Sequence, residues 1–164
     1  MIKKTLLGLA FILAAALLQS TILSPLIFYI NAVPDFTLII LVFTAYVNGG
    51  MVGQVSGFFS GVMLDFLSAA PLGMNALIRT IIGWLTGLLK GAFFLDTILL
   101  PMALTAGATI FKALLLFLLN MPFPDIISHY TLLSPVLWVE LGLNTVLAPF
   151  VFAILKLCKP LHTG

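Results

Sequence analysis

The sequence contains very little charge. Only 7% of its 164 residues are Asp, Glu, Lys or Arg, whereas 62% are hydrophobic. A soluble domain normally carries about 25% charged residues, which cover its water-facing surface. The five acidic and seven basic side chains of this chain are too few for that purpose. Their scarcity excludes a soluble domain and predicts a surface that faces lipid.

Other groups that carry chemistry are also scarce. A single cysteine, Cys158, excludes a disulfide within the chain. His129 and His162 have no Cys or His neighbours at the spacing of metal ligands. The sequence has no Walker loop, HExxH or GxSxG motif, and its few basic residues form no nucleic-acid-binding patch. We therefore expect no enzymatic activity, no cofactor, no metal and no nucleic-acid partner.

Apolar sequence is abundant, and turn residues divide it into segments. A helix needs about 20 mostly apolar residues to cross a bilayer, and clusters of Pro, Gly, Asn and Asp mark the interruptions. The sequence thus predicts an all-α, polytopic transmembrane helix bundle in one integral membrane domain, residues 1–164. Its six predicted spans are 5–30, 34–47, 51–67, 75–90, 97–119 and 132–157.

Two features bear on topology. The second to fourth segments are short, so 34–47 and 51–67 can instead form a re-entrant hairpin that is buried in protein; either arrangement leaves both termini on one side. Basic residues favour the cytoplasmic side of a membrane, and an N-in/C-in orientation places five lysines there and only Arg79 near an outer end. The five lysines are Lys3, Lys4, Lys90, Lys156 and Lys159.

Glycines recur at helical spacing in two of the predicted spans. In the third span and again in the fourth, they lie four residues apart and form a narrow stripe, while Ala10 and Ala14 give a weaker version in the first span. Such stripes let helix backbones approach closely within a membrane. They indicate either packing of the third span on the fourth or a surface for a partner helix. The two stripes are Gly53, Gly57 and Gly61, and Gly83, Gly87 and Gly91.

Four ionisable residues lie within or near the predicted spans. A charge at the bilayer centre costs about 2.5–3.5 kcal/mol on insertion scales, so such residues usually pair. Asp65 and Arg79 lie near the outer ends of the third and fourth spans. We expect them either to pair across the intervening loop or, with Asn75, to form a polar pocket at the outer face.

Lys112 and Glu140 lie deeper in the fifth and sixth spans. Lys112 is about seven residues, or about 10 Å, inside the outer end of its span, and Glu140 lies at a comparable depth. The Lys112 ammonium either reaches the headgroups along its flexible stem or pairs with Glu140. We take the pair as the working hypothesis.

A group of motifs over about residues 33–91 resembles the MreD family of rod shape-determining membrane proteins. The chain length, the number of spans and the near absence of soluble loops are also similar. The motifs, in order, are Val33-Pro34-Asp35 before an apolar run, the glycines Gly53, Gly57 and Gly61, the pair Leu64-Asp65, and Ser68 followed by Pro71-Leu72-Gly73.

The resemblance implies a non-enzymatic scaffold of the cell-elongation machinery in the bacterial inner membrane. Its implied direct partner is MreC, a single-span protein. Through MreC it would be linked to MreB filaments, to the peptidoglycan synthase RodA and to a class B penicillin-binding protein. Cell shape and lateral peptidoglycan synthesis are the implied roles.

The MreD family is also similar to the substrate-binding S components of energy-coupling-factor transporters, and this similarity provides an alternative function. An S component would hold a vitamin-like molecule in an outward pocket, here lined by Asp65, Asn75, Arg79 and Trp84. Binding of a polar ligand needs several placed hydrogen-bonding groups. The scarcity of such groups favours the scaffold.

Overall fold

A computed structural model describes residues 33–68, 71–92, 98–122 and 134–157, together with residues 10, 12 and 14. The described part is helical and contains no strand. Its five helices are α1 (Phe36–Asn48), α2 (Gly50–Leu67), α3 (Met74–Leu88), α4 (Leu99–Asn120) and α5 (Pro135–Leu157).

The five helices correspond to the second to sixth predicted spans, and their ends agree within three residues. Only α2, α4 and α5 are long and apolar enough to cross a membrane. Three of the six predicted spans therefore have the length of a full crossing, whereas α1 and α3, with 13 and 15 residues, are shorter. Of the first predicted span, 5–30, all but residues 10, 12 and 14 lie outside the described residues, as do Lys159, Cys158, His129 and His162.

Helix α1 is the centre of the bundle. Every residue from Thr37 to Tyr46 is buried, and the helix packs against all four others. Its 13 residues span about 20 Å at about 1.5 Å per residue, which is short of the roughly 30 Å hydrocarbon core of a bilayer. Because neighbouring helices enclose α1, its length need not match the bilayer thickness.

Residues at both ends of α1 explain where the helix begins and ends. The carboxylate of Asp35 accepts a hydrogen bond of 2.9 Å from the Leu38 N–H, which caps the N-terminus. At the other end Gly49 adopts a φ of 99°, a conformation that favours glycine. The Gly49 N–H bonds to the Ala45 carbonyl, and α2 begins at the next residue. A single residue therefore joins the two helices.

The two predicted glycine stripes pack against each other. A Cβ atom added to Gly53 would lie 2.7 Å from the carbonyl carbon of Gly83, and one added to Gly57 would lie 2.7 Å from that of Arg79. Gly87 packs in the same way on Gly50. These contacts make α2 and α3 antiparallel, with their backbones too close for any side chain between them. The stripes therefore serve packing within the chain.

Gly91 does not belong to this interface, contrary to the prediction. Helix α3 ends at Leu88, and Gly91 lies in the following turn with a φ of 75°. A Cβ atom added there would meet nothing within 4 Å. The four-residue spacing continues past the end of the helix, so spacing alone assigned this residue to the stripe.

The helices form two groups. Helices α1, α2 and α3 form the helix trio, in which α2 and α3 have the closest contact. Helices α4 and α5 form the helix hairpin, which packs on the trio mainly through α1 and α3. Lys112 of α4 meets Glu140 of α5, and Thr109 meets Asn144, so the two helices of the hairpin are antiparallel.

Candidate functional site: a buried ionic cluster

Asp35 is the centre of a buried ionic cluster. Its carboxylate accepts hydrogen bonds from the guanidinium of Arg79, with Nη2 lying 2.8 Å from Oδ1 and 2.7 Å from Oδ2. The ammonium of Lys112 lies 2.9 Å from Oδ2. Asp35 and Arg79 are 4% exposed, so both charges are removed from solvent. The N-terminus of α1 thus holds basic groups from α3 and α4.

Lys112 also contacts Glu140. The Nζ atom of Lys112 lies 2.6 Å from Oε1 of Glu140, so the contact that the depth argument predicts is present. The ammonium therefore lies between two carboxylates, one from α1 and one from α5. Two acidic and two basic groups meet here, and their formal charges cancel. Cancellation of charge is what allows ionic groups to be buried in an apolar bundle.

Polar uncharged groups extend the cluster. The side-chain oxygen of Asn144 accepts a 2.7 Å hydrogen bond from the Asp35 backbone N–H. The amide nitrogen of Asn144 donates to the hydroxyl of Thr109, over 3.2 Å. Asn144 and Thr109 are both buried. Asn144 thereby satisfies a backbone donor near the helix start that would otherwise be unpaired in an apolar interior.

The cluster lies well inside the bundle. Helix α1 spans about 20 Å from its end beside the start of α2, whereas the 18 residues of α2 span about 27 Å, so α1 begins about 7 Å short of the end of α2. Helix α1 therefore starts at this depth rather than at the end of the bundle, and it ends beside Lys90. Because α1 is short and enclosed by other helices, its N-cap residue Asp35 lies in the interior of the bundle.

Asp65 does not pair with Arg79, so the first of the two arrangements expected for these residues is absent. Its carboxylate instead accepts hydrogen bonds from the start of α3: the N–H groups of Gly73, Asn75 and Ala76 lie at 2.9, 3.0 and 3.2 Å. The side-chain amide of Asn75 adds a fourth, at 2.9 Å. The first N–H groups of a helix have no partner within the helix, and its dipole attracts an anion there. Asp65 therefore caps α3.

Sequence reasoning missed Asp35, Asn144 and Thr109 as members of a site. It treated Asn31, Pro34 and Asp35 as one of the clusters of turn residues that interrupt the apolar sequence. One signal was available: Asn144 follows Glu140 by four residues, so both side chains lie on one face of the helix. The order of Pro34 and Asp35 before an apolar run was a second, since it is typical of a helix N-terminus.

Comparison with protein families gives a match over nearly the whole chain. The family model described as rod shape-determining protein MreD matches residues 1–158. The chain belongs to the MreD family. The match extends well beyond residues 33–91, where the motifs of the sequence indicated a resemblance. No curated protein and no solved structure matches the chain.

The four residues expected to line an outward pocket lie in different places in this MreD family member. Asp65 and Asn75 are hydrogen-bonded to each other at the start of α3, whereas Arg79 is buried against Asp35. Trp84 is 42% exposed and packs beside Gly50. The arrangement does not direct these side chains into one shared cavity.

The family and the helices together describe a membrane protein. Helices α2, α4 and α5 can each cross a bilayer, and their exposed faces carry large apolar side chains such as Phe59, Leu114 and Phe150. Among the described residues, no group of three or more His, Cys, Asp or Glu side chains is arranged to hold a metal ion. The four charged groups of the ionic cluster in this MreD protein bind to each other.

Proposed function

We propose that the protein is a non-enzymatic scaffold of the bacterial cell-elongation machinery. In this proposal it binds MreC directly and is linked through MreC to MreB, RodA and a class B penicillin-binding protein. The match to the MreD family over residues 1–158 carries the proposal. The ionic cluster supports it, because Asp35, Arg79, Lys112 and Glu140 neutralise one another inside the bundle instead of lining an open site.

Complementation tests the role in cell shape. The chain would be expressed in a rod-shaped bacterium from which its own MreD has been removed. We expect cell width and rod shape to be restored, and MreC to co-purify with the chain. Gly57→Leu, which disrupts the contact between α2 and α3, is the inactive control. Round cells that contain wild-type protein correctly inserted in the membrane would overturn the proposal.

We also propose that the chain is a multi-pass protein of the inner membrane, a single domain with six membrane segments and both termini in the cytoplasm. The ends of the bundle support this orientation. Lys90 follows α3, and Lys156 is in the last turn of α5, which is antiparallel to α4. Both lysines therefore lie at the end opposite to Asp65, where the positive-inside rule predicts the cytoplasm.

Cysteine labelling tests the orientation. In a Cys158→Ser background, Leu72→Cys places a thiol in the loop between α2 and α3, where Leu72 is 74% exposed. Ala92→Cys is the matched control at the opposite end, in the exposed turn after α3. A membrane-impermeant maleimide added outside the inner membrane should label the first variant and spare the second. The reverse pattern would contradict the proposed topology.

A further inference from the structure

The ionic cluster consists of two pairs, each of which belongs to one helix group. Asp35 and Arg79 are both in the helix trio and hold each other through two contacts of 2.8 and 2.7 Å. Lys112 and Glu140 are both in the helix hairpin, with their charged atoms 2.6 Å apart. Separating the trio from the hairpin would therefore leave no charge without its counter-ion. Opening the contact between the groups therefore carries no cost for an unpaired buried charge.

Asp35 of the trio makes polar contacts with both helices of the hairpin. Its carboxylate accepts a hydrogen bond from Lys112, and its backbone N–H donates to Asn144. Lys112 is on a long, flexible stem, and its side chain is 17% exposed. It can leave Asp35 and keep its contact with Glu140. We call these two contacts of Asp35 the latch.

A groove lies between α3 and α4 on one side of the latch. It is almost entirely apolar, has a volume of about 370 Å³, and runs from the level of Arg79 and Lys112 towards Lys90. We call it the α3–α4 groove. On the α4 side Ala103 and Gly107 contribute little bulk, and a Cβ atom on Gly107 would meet nothing within 4 Å. The groove is lined by Ile82, Leu85, Thr86, Leu88, Leu89, Ala103, Leu104, Gly107, Ala108 and Phe111.

We propose that the helix hairpin pivots against the helix trio at the latch, so that the α3–α4 groove narrows and widens. The small residues of α4 at four-residue spacing allow its backbone to approach α3 when the groove narrows. The neutral ion pairs stay intact on either side, and the contacts of Asp35 with Lys112 and Asn144 form or break. Hinge motions of this kind are a common way for a packed helical protein to change state.

Distance measurements between spin labels test the pivot. The full chain, with Cys158→Ser, would be placed in lipid nanodiscs with labels at Leu89→Cys and Ala103→Cys, which face each other across the groove. Lys112→Met together with Glu140→Gln removes the Lys112 contact of the latch and leaves the trio and the hairpin each without net charge in the cluster. We expect the distance distribution across the groove to shift or broaden by several ångströms on release.

A second pair of labels provides the control. Phe58→Cys and Leu77→Cys are on α2 and α3, where both residues are about half exposed, and the glycine interface between them should hold their distance constant in every variant. Asn144→Ala is the second release variant: it removes the contact with the Asp35 N–H and keeps all four charges. A groove distance that is unchanged in both release variants, or a change of equal size at the control pair, would overturn the proposal.

Discussion

The interface between α2 and α3 and the interface between the trio and the hairpin differ in how they are held together. The first consists of backbone against backbone: Gly53 lies against Gly83, and Gly57 against Arg79, with no room for a side chain. The second combines Phe43 packed edge-on against Phe152, the ionic cluster and an open groove. Two helices in direct backbone contact cannot move closer together. Two helices that meet at a neutral polar contact beside a groove can change their separation. One chain thus contains a rigid interface and an adjustable one.

The largest effect should come from a side chain placed in the rigid interface. Gly57→Leu puts bulk where even a Cβ atom would lie 2.7 Å from the carbonyl carbon of Arg79 and 3.0 Å from the nitrogen of Thr80. Overpacking of a core usually costs about 1–3 kcal/mol, and backbone atoms cannot rearrange as side chains do, so we expect a loss at or above the upper end. Thermal unfolding in detergent measures it.

Gly107→Ala is the matched control for that substitution. Gly107 is also a helical glycine, but it lies in α4, where an added Cβ atom would meet nothing within 4 Å. Because Ala favours helix more than Gly by about 1 kcal/mol, the unfolding temperature should stay the same or rise slightly. Equal losses in Gly57→Leu and Gly107→Ala would mean that the α2–α3 contact is not the rigid interface that we describe.

The second effect concerns the charge pair of the hairpin. Glu140→Gln removes the anionic partner of Lys112 within the hairpin, and breaking a buried pair in this way costs about 3–5 kcal/mol where the remaining charge is fully buried. Lys112 is 17% exposed, so we expect a smaller loss. Adding Lys112→Met should recover most of the lost stability, because the Asp35–Arg79 pair is neutral by itself. Unfolding of the two single variants and the double variant in detergent forms the cycle. Independent, additive losses would contradict the coupling.

The limits of sequence reasoning follow from the same two interfaces. Hydropathy and turn residues predicted the helices α1 to α5 within a few residues, since they record which segments avoid water. The glycine spacing and the depth of Lys112 and Glu140 gave contacts that the structure contains. Neither kind of pattern records the depth at which a short enclosed helix begins. Asp35 was therefore counted among the turn residues, and Arg79 was expected either to pair with Asp65 or to line an outer pocket. The cluster depends on that depth.

The smallest effect should come from the cap of α3, which lies outside the adjustable interface. Asp65→Ala removes the acceptor for the N–H groups of Gly73, Asn75 and Ala76, and loss of a cap typically costs about 0.5–2 kcal/mol. Because Arg79 pairs with Asp35 and not with Asp65, the losses in Asp65→Ala and Glu140→Gln should add in the double variant. Strong coupling between them, measured by unfolding in the same detergent, would show that the cap and the ionic cluster act as one unit. Additivity would instead establish that the cap of α3 contributes to stability independently of the ionic cluster.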